Sequence, residues 1–195
     1  MSPHLFFNIL GLVSGDAGDP AKVKQRVGQV AMLLRMSLEN AERTAIALSE
    51  ELEMVKLYVE LLRNRVPEPF SAQFDIAGNV DINILVPSMI LQIPVENAIK
   101  HGLMQQEGEK RLRVVVQKVD KVLEIMVEDN GIGRKVSKGR TTGTGTGLKV
   151  LLQTIRLLNH QNRELITFAI TDREPQGTIA KITIPENHIY HLKNK

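Results

Sequence analysis

The spacing of apolar residues predicts helices in the first third of the chain and mostly strands after it. Residues 3–14 are typical of a short apolar helix, and residues 15–18 of a turn. A second helix is predicted from Asp19-Pro20, and its apolar stripe comprises Val23, Val27, Val30, Leu34 and Leu38. Two apolar helices joined by a tight turn cannot bury both stripes alone, so we expect a second copy of the chain to cover them.

Two further helices and a strand are predicted over residues 49–103. Ser49 is the expected N-cap of one helix, with Glu50 and Glu51 at its positive end. Alternating apolar and polar residues predict a strand over 70–77. The next helix is expected from about Pro87 to Leu103, with a kink or break at Pro94.

The remaining pattern is that of a sheet interrupted by one loop and one helix. Strands are predicted over 111–117 and 121–128 and, later, over about 164–171 and 177–184. Between these pairs lie a glycine-rich loop to Gly147 and a helix from Leu148 to about Asn159. The tail after Pro185 is polar, and we expect it to be frayed.

Composition narrows the function classes without selecting one. The 195 residues include no cysteine, which excludes disulfides and thiolate metal sites. A net charge of +3 with few aromatic residues does not favour a nucleic-acid partner. No apolar run approaches the roughly 20 residues of a membrane helix. The basic residues Arg134, Lys135, Lys138 and Arg140 fit a solvated loop and an anion site equally well.

Three short motifs in a fixed order carry the chemistry. They are Glu96-Asn97-Ala98-Ile99-Lys100-His101, Asp129-Asn130-Gly131-Ile132-Gly133 and Gly143-Thr144-Gly145-Thr146-Gly147-Leu148. Each is weak alone, because glycine-rich and Asp-Asn-Gly segments are usually turns. Together they supply a polar helix face for a metal, a carboxylate for an adenine and a glycine loop for phosphates. A fourth motif, Pro3-His4-Leu5-Phe6-Phe7-Asn8, offers a phosphate acceptor.

These motifs resemble those of the Bergerat ATP-binding fold, which histidine kinases share with type II topoisomerases and MutL-type repair proteins. The segments 3–8, 91–102 and 177–185 are most similar to LytS/YehU-type sensor histidine kinases. The resemblance implies an α+β fold, namely a two-layer α/β sandwich whose mixed, mostly antiparallel sheet has helices on one face, preceded by an α-helical hairpin. It also implies a dimerisation and phosphotransfer hairpin at 1–46, an ATP-binding domain at 47–187 and a polar tail at 188–195.

The resemblance also implies roles for individual residues. Asn97 would bind Mg2+, Lys100 and His101 would approach phosphates from the same helix face, and a structural role for His101 is equally open. Asp129 would accept the adenine amine, with Gly131, Gly133 and Thr178 completing that pocket. Gly143, Gly145, Gly147 and Leu148 would form the phosphate loop, His4 would be the phosphorylated residue, and Glu96 is the candidate general base.

The function implied is that of a two-component sensor kinase. ATP with Mg2+ would phosphorylate His4, a response regulator would then receive the phosphoryl group, and the chain would be a homodimer. It would be the cytoplasmic domain of an inner-membrane sensor, attached to the membrane only through segments absent here. The alternatives are a non-catalytic ATP-binding scaffold and an ATPase that drives mechanical work. Ile93 argues against the ATPase, because hydrolysing relatives usually have Glu there. Val150 replaces an Asn found in many relatives.

Overall fold

The computed structural model describes residues 20–41, 43–63, 66, 69–134 and 146–190. The α-helices in these ranges are α1 (Pro20–Ala41), α2 (Leu48–Leu62), α3 (Gln92–Asn97) and α4 (Thr146–Asn159). The strands are β1 (Ala45–Ala47), β2 (Phe70–Ile76), β3 (Leu85–Pro87), β4 (Lys110–Val119), β5 (Val122–Asp129), β6 (Thr167–Asp172) and β7 (Thr178–Pro185). A π-helical turn, Ala98–Gly102, continues α3 and leads into a 3-10 turn, Leu103–Gln105.

Five strands form one sheet in the order β2-β4-β5-β7-β6. β2 runs parallel to β4, and each of the other neighbouring pairs is antiparallel. β1 and β3 pair separately, with Ile46 opposite Val86. The mixed, mostly antiparallel sheet expected from the sequence is therefore confirmed, as is the presence of a helical segment before it.

Alternation along β5 determines which face of the sheet is buried. Leu123, Ile125 and Val127 are each 3% exposed or less, and they face the hydrophobic core. The intervening side chains lie on the other face, where Lys181 Nζ contacts Glu124 Oε1 at 2.7 Å. Because the period of a strand is two residues, Asp129 occupies the next core-facing position. The strand therefore ends with a carboxylate at the edge of the core.

Helix α1 buries a different stripe from the one predicted. Its buried residues are Val30, Leu33, Ser37 and Asn40, and Asn40 Nδ2 contacts Met54 Sδ of α2 at 3.5 Å. Of the predicted stripe Val30 is buried, whereas Val27 and Leu38 are 46% and 62% exposed. Helix α2 covers the neighbouring stripe, and cover of the exposed residues by a second copy of the chain stays a prediction. The predicted helix over 3–14 lies outside the described residues.

The start of α2 also differs from the prediction. The N-cap is Ala47 instead of Ser49, and the Glu50 carboxylate accepts the N–H of Ala47 at 3.2 Å. Glu50 also pairs with Arg43 at 2.6 Å. Glu50 and Glu51 lie in the first turn, as predicted, and the side chain of Glu51 is fully buried.

The prediction of a single helix over 87–103 is wrong about where the helix begins and about where it is irregular. Pro87 ends β3, and α3 begins only at Gln92, so Pro94 falls within the first turn, where a missing N–H is tolerated. The irregular segment comes after Asn97, in the π-helical turn. The α-helical hydrogen-bond pattern therefore ends before Lys100 and His101.

The later strands agree with the prediction to within a few residues, and the tail does not. β4 and β5 are joined by a tight turn in which Asp120 has φ 53°. The tail was expected to fray after Pro185, yet it is held as far as Tyr190. Ile189 N donates to Asn162 Oδ1 at 2.8 Å, and Asn162 Nδ2 donates to Ile189 O at 2.9 Å. In the part of the chain that is described, no helix is both long and apolar enough for a bilayer.

Candidate functional site

Asp129 is a buried carboxylate held by two donors. Its side chain is 2% exposed. Oδ1 accepts the backbone N–H of Gly131 at 2.8 Å, and Oδ2 accepts the hydroxyl of Thr178 on β7. Burial raises the pKa of this carboxyl, while the bonds from Thr178 and Gly131 act in the opposite direction. The carboxylate is thus fixed in orientation and retains lone pairs for a further donor.

Three glycines allow backbone segments to pack closely around Asp129. A Cβ placed on Gly102 would lie 2.7 Å from Asp129 Oδ1, and one on Gly131 would lie 2.3 Å from the carbonyl carbon of Gly102. Gly177 has φ +114°, and a Cβ there would lie 1.9 Å from the carbonyl oxygen of Asp129. No side chain fits at these positions without backbone movement, so they require glycine.

The second motif is joined to the first by backbone contact. Ile132 N donates to the carbonyl oxygen of Gly102 at 3.4 Å. Asn130 fixes the same loop to β4, since its Oδ1 accepts Arg111 N at 2.7 Å. Gly133 has φ +74°, and a Cβ there would lie 3.6 Å from Gly177 O. The end of the π-helical turn and the Asp129 loop therefore form one structural unit.

The predicted metal and phosphate residues lie on α3 and the turn after it. Asn97 is the last residue of α3 and is half-buried, as are Lys100 and His101. Lys100 Nζ forms an ion pair with Glu96 Oε1, four residues earlier. The α-helical face predicted for Asn97, Lys100 and His101 is corrected by the π-helical turn. Lys100 is paired with the residue predicted to be the general base.

The start of α4 lies beside α3. A Cβ on Gly147 would lie 3.7 Å from Ile93 Cγ2, and Leu148 follows as a half-buried residue. The expected phosphate loop thus approaches α3 at its last glycine. His4, Gly143 and Gly145 lie outside the described residues, as do Lys135, Lys138 and Arg140. Arg134 is engaged by Asp172, with Nε 2.8 Å from Oδ1.

Sequence reasoning missed three residues that shape this region. Gly102 and Gly177 were noted only as the end and the start of motif segments. Positions 102 and 177 require glycine because of contacts with Asp129 across the fold, which the sequence does not show. Glu51 was read as a helix-dipole residue. A signal was present, since Glu51 lies four and seven positions before Val55 and Tyr58 and therefore on their buried face.

Two family models match the chain in the order in which its motifs occur. Residues 85–188 match the model described as histidine kinase-, DNA gyrase B- and HSP90-like ATPase, and residues 1–70 match the model described as histidine kinase. The first match covers more than half of the chain and includes all three nucleotide motifs. The chain belongs to the histidine kinase-, DNA gyrase B- and HSP90-like ATPase family.

Curated relatives of this ATPase family member are sensor proteins. Sensor protein LytS of Enterococcus faecalis is 33% identical over 195 residues, which is 95% of this chain and 32% of the relative. Sensor histidine kinase/phosphatase LytS of Staphylococcus aureus is 30% identical over 162 residues, or 77% of this chain and 28% of the relative. The resemblance to LytS-type kinases is confirmed. The chain spans about a third of the length of the curated relatives it matches.

Solved structures confirm the fold. The histidine kinase domain of a blue-light activated histidine kinase from Erythrobacter litoralis matches with a TM-score of 0.52 at 15% identity, covering 90% of this chain and 79% of that one. Histidine kinase AdeS of Acinetobacter baumannii matches with a TM-score of 0.51 at 17% identity, covering 93% and 95%. At these identities the likeness concerns the fold alone.

The bond from Thr178 gives a prediction for pH dependence. Thr178→Val removes a donor to the ionised carboxylate, so we expect the pKa of Asp129 to rise above its already raised value. Because the pKa of Asp129 in the folded protein lies above the ordinary 3.8, the protonated side chain stabilises the fold at pH values below 3.8. The stabilisation is lost as pH rises through the folded pKa, and in the variant this loss extends to higher pH.

Carbon-13 NMR titration of the Asp129 carboxyl, with urea unfolding between pH 3 and 8, measures both effects. Thr183→Val is the matched control, because Thr183 also lies on β7 but bonds to Thr167 on the exposed face. An unchanged Asp129 midpoint in Thr178→Val would show that the hydroxyl does not stabilise the carboxylate.

Proposed function

We propose that this chain is the catalytic part of a two-component sensor histidine kinase, which phosphorylates itself on His4 with ATP and passes the phosphoryl group to a response regulator. The observation that carries the proposal is the buried Asp129 carboxylate, held by donors from Gly131 and Thr178 and closely approached by glycine backbone after the helix that ends in Asn97. The two family matches support it, because one includes this site and the other includes His4.

The adenine of ATP would be read by Asp129. An ionised carboxylate only accepts hydrogen bonds, so it suits the exocyclic amine of adenine. Thr178 and Gly131 hold both oxygens in place, which makes the acceptor rigid before the base binds. Gly102 and Gly131 pack backbone against backbone, so no side chain at these positions covers Asp129.

The phosphates would lie between α3 and the start of α4. Asn97 has the oxygen donor that Mg2+ accepts, and the bound ion would neutralise phosphate charge. Gly143, Gly145 and Gly147, with Leu148 and the start of α4, would offer backbone N–H groups to the phosphates. Lys100 and His101 are further donors on the turn after Asn97. Lys100 would have to exchange Glu96 for a phosphate oxygen.

In the transfer step a neutral ring nitrogen of His4 would attack the γ-phosphorus in line. The bond from the γ-phosphorus to the bridging oxygen breaks, and ADP leaves with that oxygen. The imidazole proton must be accepted, and Glu96 is our candidate. Glu96 forms an ion pair with Lys100, so movement of Lys100 to the phosphates would free the Glu96 carboxylate to accept this proton.

Ile93 favours transfer to His4 over transfer to water. It stands four residues before Asn97, is 7% exposed and packs near Gly147. An alkyl side chain there cannot activate a water molecule, which disfavours an ATPase that drives mechanical work. The match of residues 1–70 to the histidine kinase model favours a kinase over a non-catalytic scaffold.

The segment 1–46 would form the dimerisation and phosphotransfer hairpin, the segment 47–187 the ATP-binding domain, and 188–195 a polar tail. On α1 the residues Val27, Ala31, Leu34 and Leu38 recur at spacings of four, three and four and are exposed or half-buried. This spacing is that of a coiled-coil seam, and a second copy of α1 would cover it. The likeness to LytS sensors supports a cytoplasmic location for this chain and a membrane attachment through other parts of the protein.

Nucleotide binding provides the first test of the proposed function. We expect Asp129→Asn to weaken binding of an ATP analogue by about tenfold or more, because an amide turns a donor toward the adenine amine. Asn97→Ala should weaken binding in Mg2+ but not in EDTA, since only the metal contact is removed. Isothermal titration calorimetry measures both constants.

Matched controls come from exposed turns. Asp120→Asn lies in the β4–β5 turn at φ 53°, which asparagine tolerates, and Asn83→Ala lies before β3. Both should bind like wild type. Wild-type affinity in Asp129→Asn, or no binding by the wild type itself, would contradict the site.

Phosphorylation of His4 is tested with γ-labelled ATP. We expect acid-labile, alkali-stable label in the wild type and none in His4→Gln, with ATP affinity nearly unchanged because the acceptor is not part of the nucleotide pocket. A chain extended upstream should be used so that the segment before His4 is present. His160→Gln is the control, since His160 is exposed after α4. Label that persists in His4→Gln would assign the acceptor to another residue.

Dimerisation is tested on the exposed seam of α1. Leu38→Asp should shift sedimentation from dimer to monomer while leaving ATP binding intact, because a carboxylate in an apolar seam loses its solvation. Leu157→Asp on α4 is the matched control, as Leu157 is 61% and Leu38 62% exposed. A wild type that sediments as a monomer at every concentration would exclude this interface.

A further inference from the structure

Glu51 is a buried acid whose carboxylate is directed at the turn before α3. Oε1 accepts the N–H of Met89 at 2.5 Å, and Oε2 accepts those of Leu91 and Gln92 at 3.1 and 3.4 Å. The side chain is fully buried. A buried carboxylate is costly unless several donors surround it, so this arrangement is not that of an incidental surface acid.

The turn that Glu51 holds is backbone-strained. Met89 has φ 67°, a left-handed conformation that non-glycine residues adopt only when surrounding contacts outweigh its cost. The same turn is fixed on its other side, since Ser88 N donates to Thr44 O at 3.2 Å and Ser88 Oγ donates to Arg43 O at 2.5 Å. The segment between α1 and α2, together with Glu51, therefore determines where α3 begins.

Helix α3 has little internal means of fixing its own position. It has six residues, and Pro94 removes one N–H from its first turn. Leu91, its N-cap, and Gln92, its first residue, donate to Glu51 instead of to a side-chain cap of their own. A negative charge at this end also stabilises the helix dipole. Asn97 follows at the other end of the same short helix.

We infer that Glu51 is a positioning residue for the nucleotide site: by holding the Met89–Gln92 turn it sets the place of α3 and thereby of Asn97 toward the metal and phosphates. This inference rests on the proposed ATP and Mg2+ site. It differs from a purely stabilising role, because it predicts a loss that is larger for metal-linked phosphate binding than for adenine binding. The donors to Asp129 come from the end of β5 and from β7, and α3 reaches this site only through Gly102 at the end of the turn that follows it, so adenine binding should be affected less.

Titration of Glu51 adds a second readout. Burial raises its pKa to about 7, with the three N–H donors acting in the opposite direction. Glu50 is the neighbouring charge that raises it further, and Glu50 is itself paired with Arg43 from the α1–β1 connection. The ionised carboxylate is the stronger acceptor for the turn. Affinity for the Mg2+ complex should therefore fall as pH is lowered through 7.

Glu51→Gln is the direct test in the full chain. The amide keeps one acceptor but turns an N–H group toward the turn, so at least one backbone donor loses its partner. We expect affinity for a non-hydrolysable ATP analogue in Mg2+ to fall about tenfold or more, as for residues that support metal ligands. Adenosine affinity without metal should fall much less, and the wild type's pH dependence near 7 should be absent in the variant.

Glu53→Gln is the matched control, because Glu53 is an exposed acid on the same helix. It should resemble the wild type in every measurement. Equal losses of adenosine and Mg2+–analogue affinity in Glu51→Gln would indicate general destabilisation and overturn the inference. Wild-type affinity in Glu51→Gln would overturn it while leaving the proposed function in place.

Hydrogen exchange without nucleotide separates the inference from the proposed function. The amides of Met89, Leu91 and Gln92 should exchange faster in Glu51→Gln than in the wild type, even if no ATP bound. If Glu51→Gln does not fold, NMR of the wild type decides. The shifts of these three amides should titrate together near pH 7, and amides that do not titrate would overturn the inference.

Discussion

The burial of one carboxylate at the end of a core strand is the constraint on which the site depends. Asp129 occupies a position that the alternation of β5 directs toward the core, so it can be tolerated only with fixed donors. Gly131 and Thr178 supply them, and Gly102 and Gly177 allow backbone to pack directly against Asp129. The same donors that make burial possible also orient the group for recognition. Stability and proposed function are therefore served by one set of contacts.

A second buried carboxylate links the helical segment to the site. Glu51 on α2 holds the turn before α3, and the connection after α1 bonds to the same turn through Arg43 and Thr44. A raised pKa of about 7 against an ordinary 4.5 corresponds to about 3 kcal/mol, by which the ionised form is disfavoured in the fold. The protonated Glu51 side chain therefore stabilises the fold below pH 4.5, and this stabilisation is lost as pH rises through 7. Retaining such a group is consistent with a positioning role.

Helix α1 has two apolar stripes, one buried against the chain and one exposed, which the proposed dimer would cover. Val30 and Leu33 pack within the chain, while Val27 and Leu38 remain exposed on an adjacent face. A single stripe would have tied α1 either to the chain or to a partner. Because α1 has both stripes, a movement of α1 in the proposed dimer would displace α2, the helix that carries Glu51. The packing provides a contiguous physical connection between the proposed hairpin and α3.

The sequence by itself determined most of the strands of the main sheet, because alternation of apolar and polar residues is a local property of the chain, and it did not show the short pair β1 and β3. The mostly antiparallel sheet and the grouping of Gly131, Gly133 and Thr178 with Asp129 followed from the order of motifs and their resemblance to a known family. The sequence did not determine which stripe of α1 is buried, since periodicity shows that a face is apolar but not which neighbour covers it. The sequence predicted a kink at Pro94 because the helix was expected to begin near Pro87. The helix begins later, at Gln92, since β3 and the contacts of Glu51 determine its start, and Pro94 then lies in the first turn. The requirements for glycine at 102 and 177 arise only where distant backbone segments meet, so only the tertiary structure could decide them.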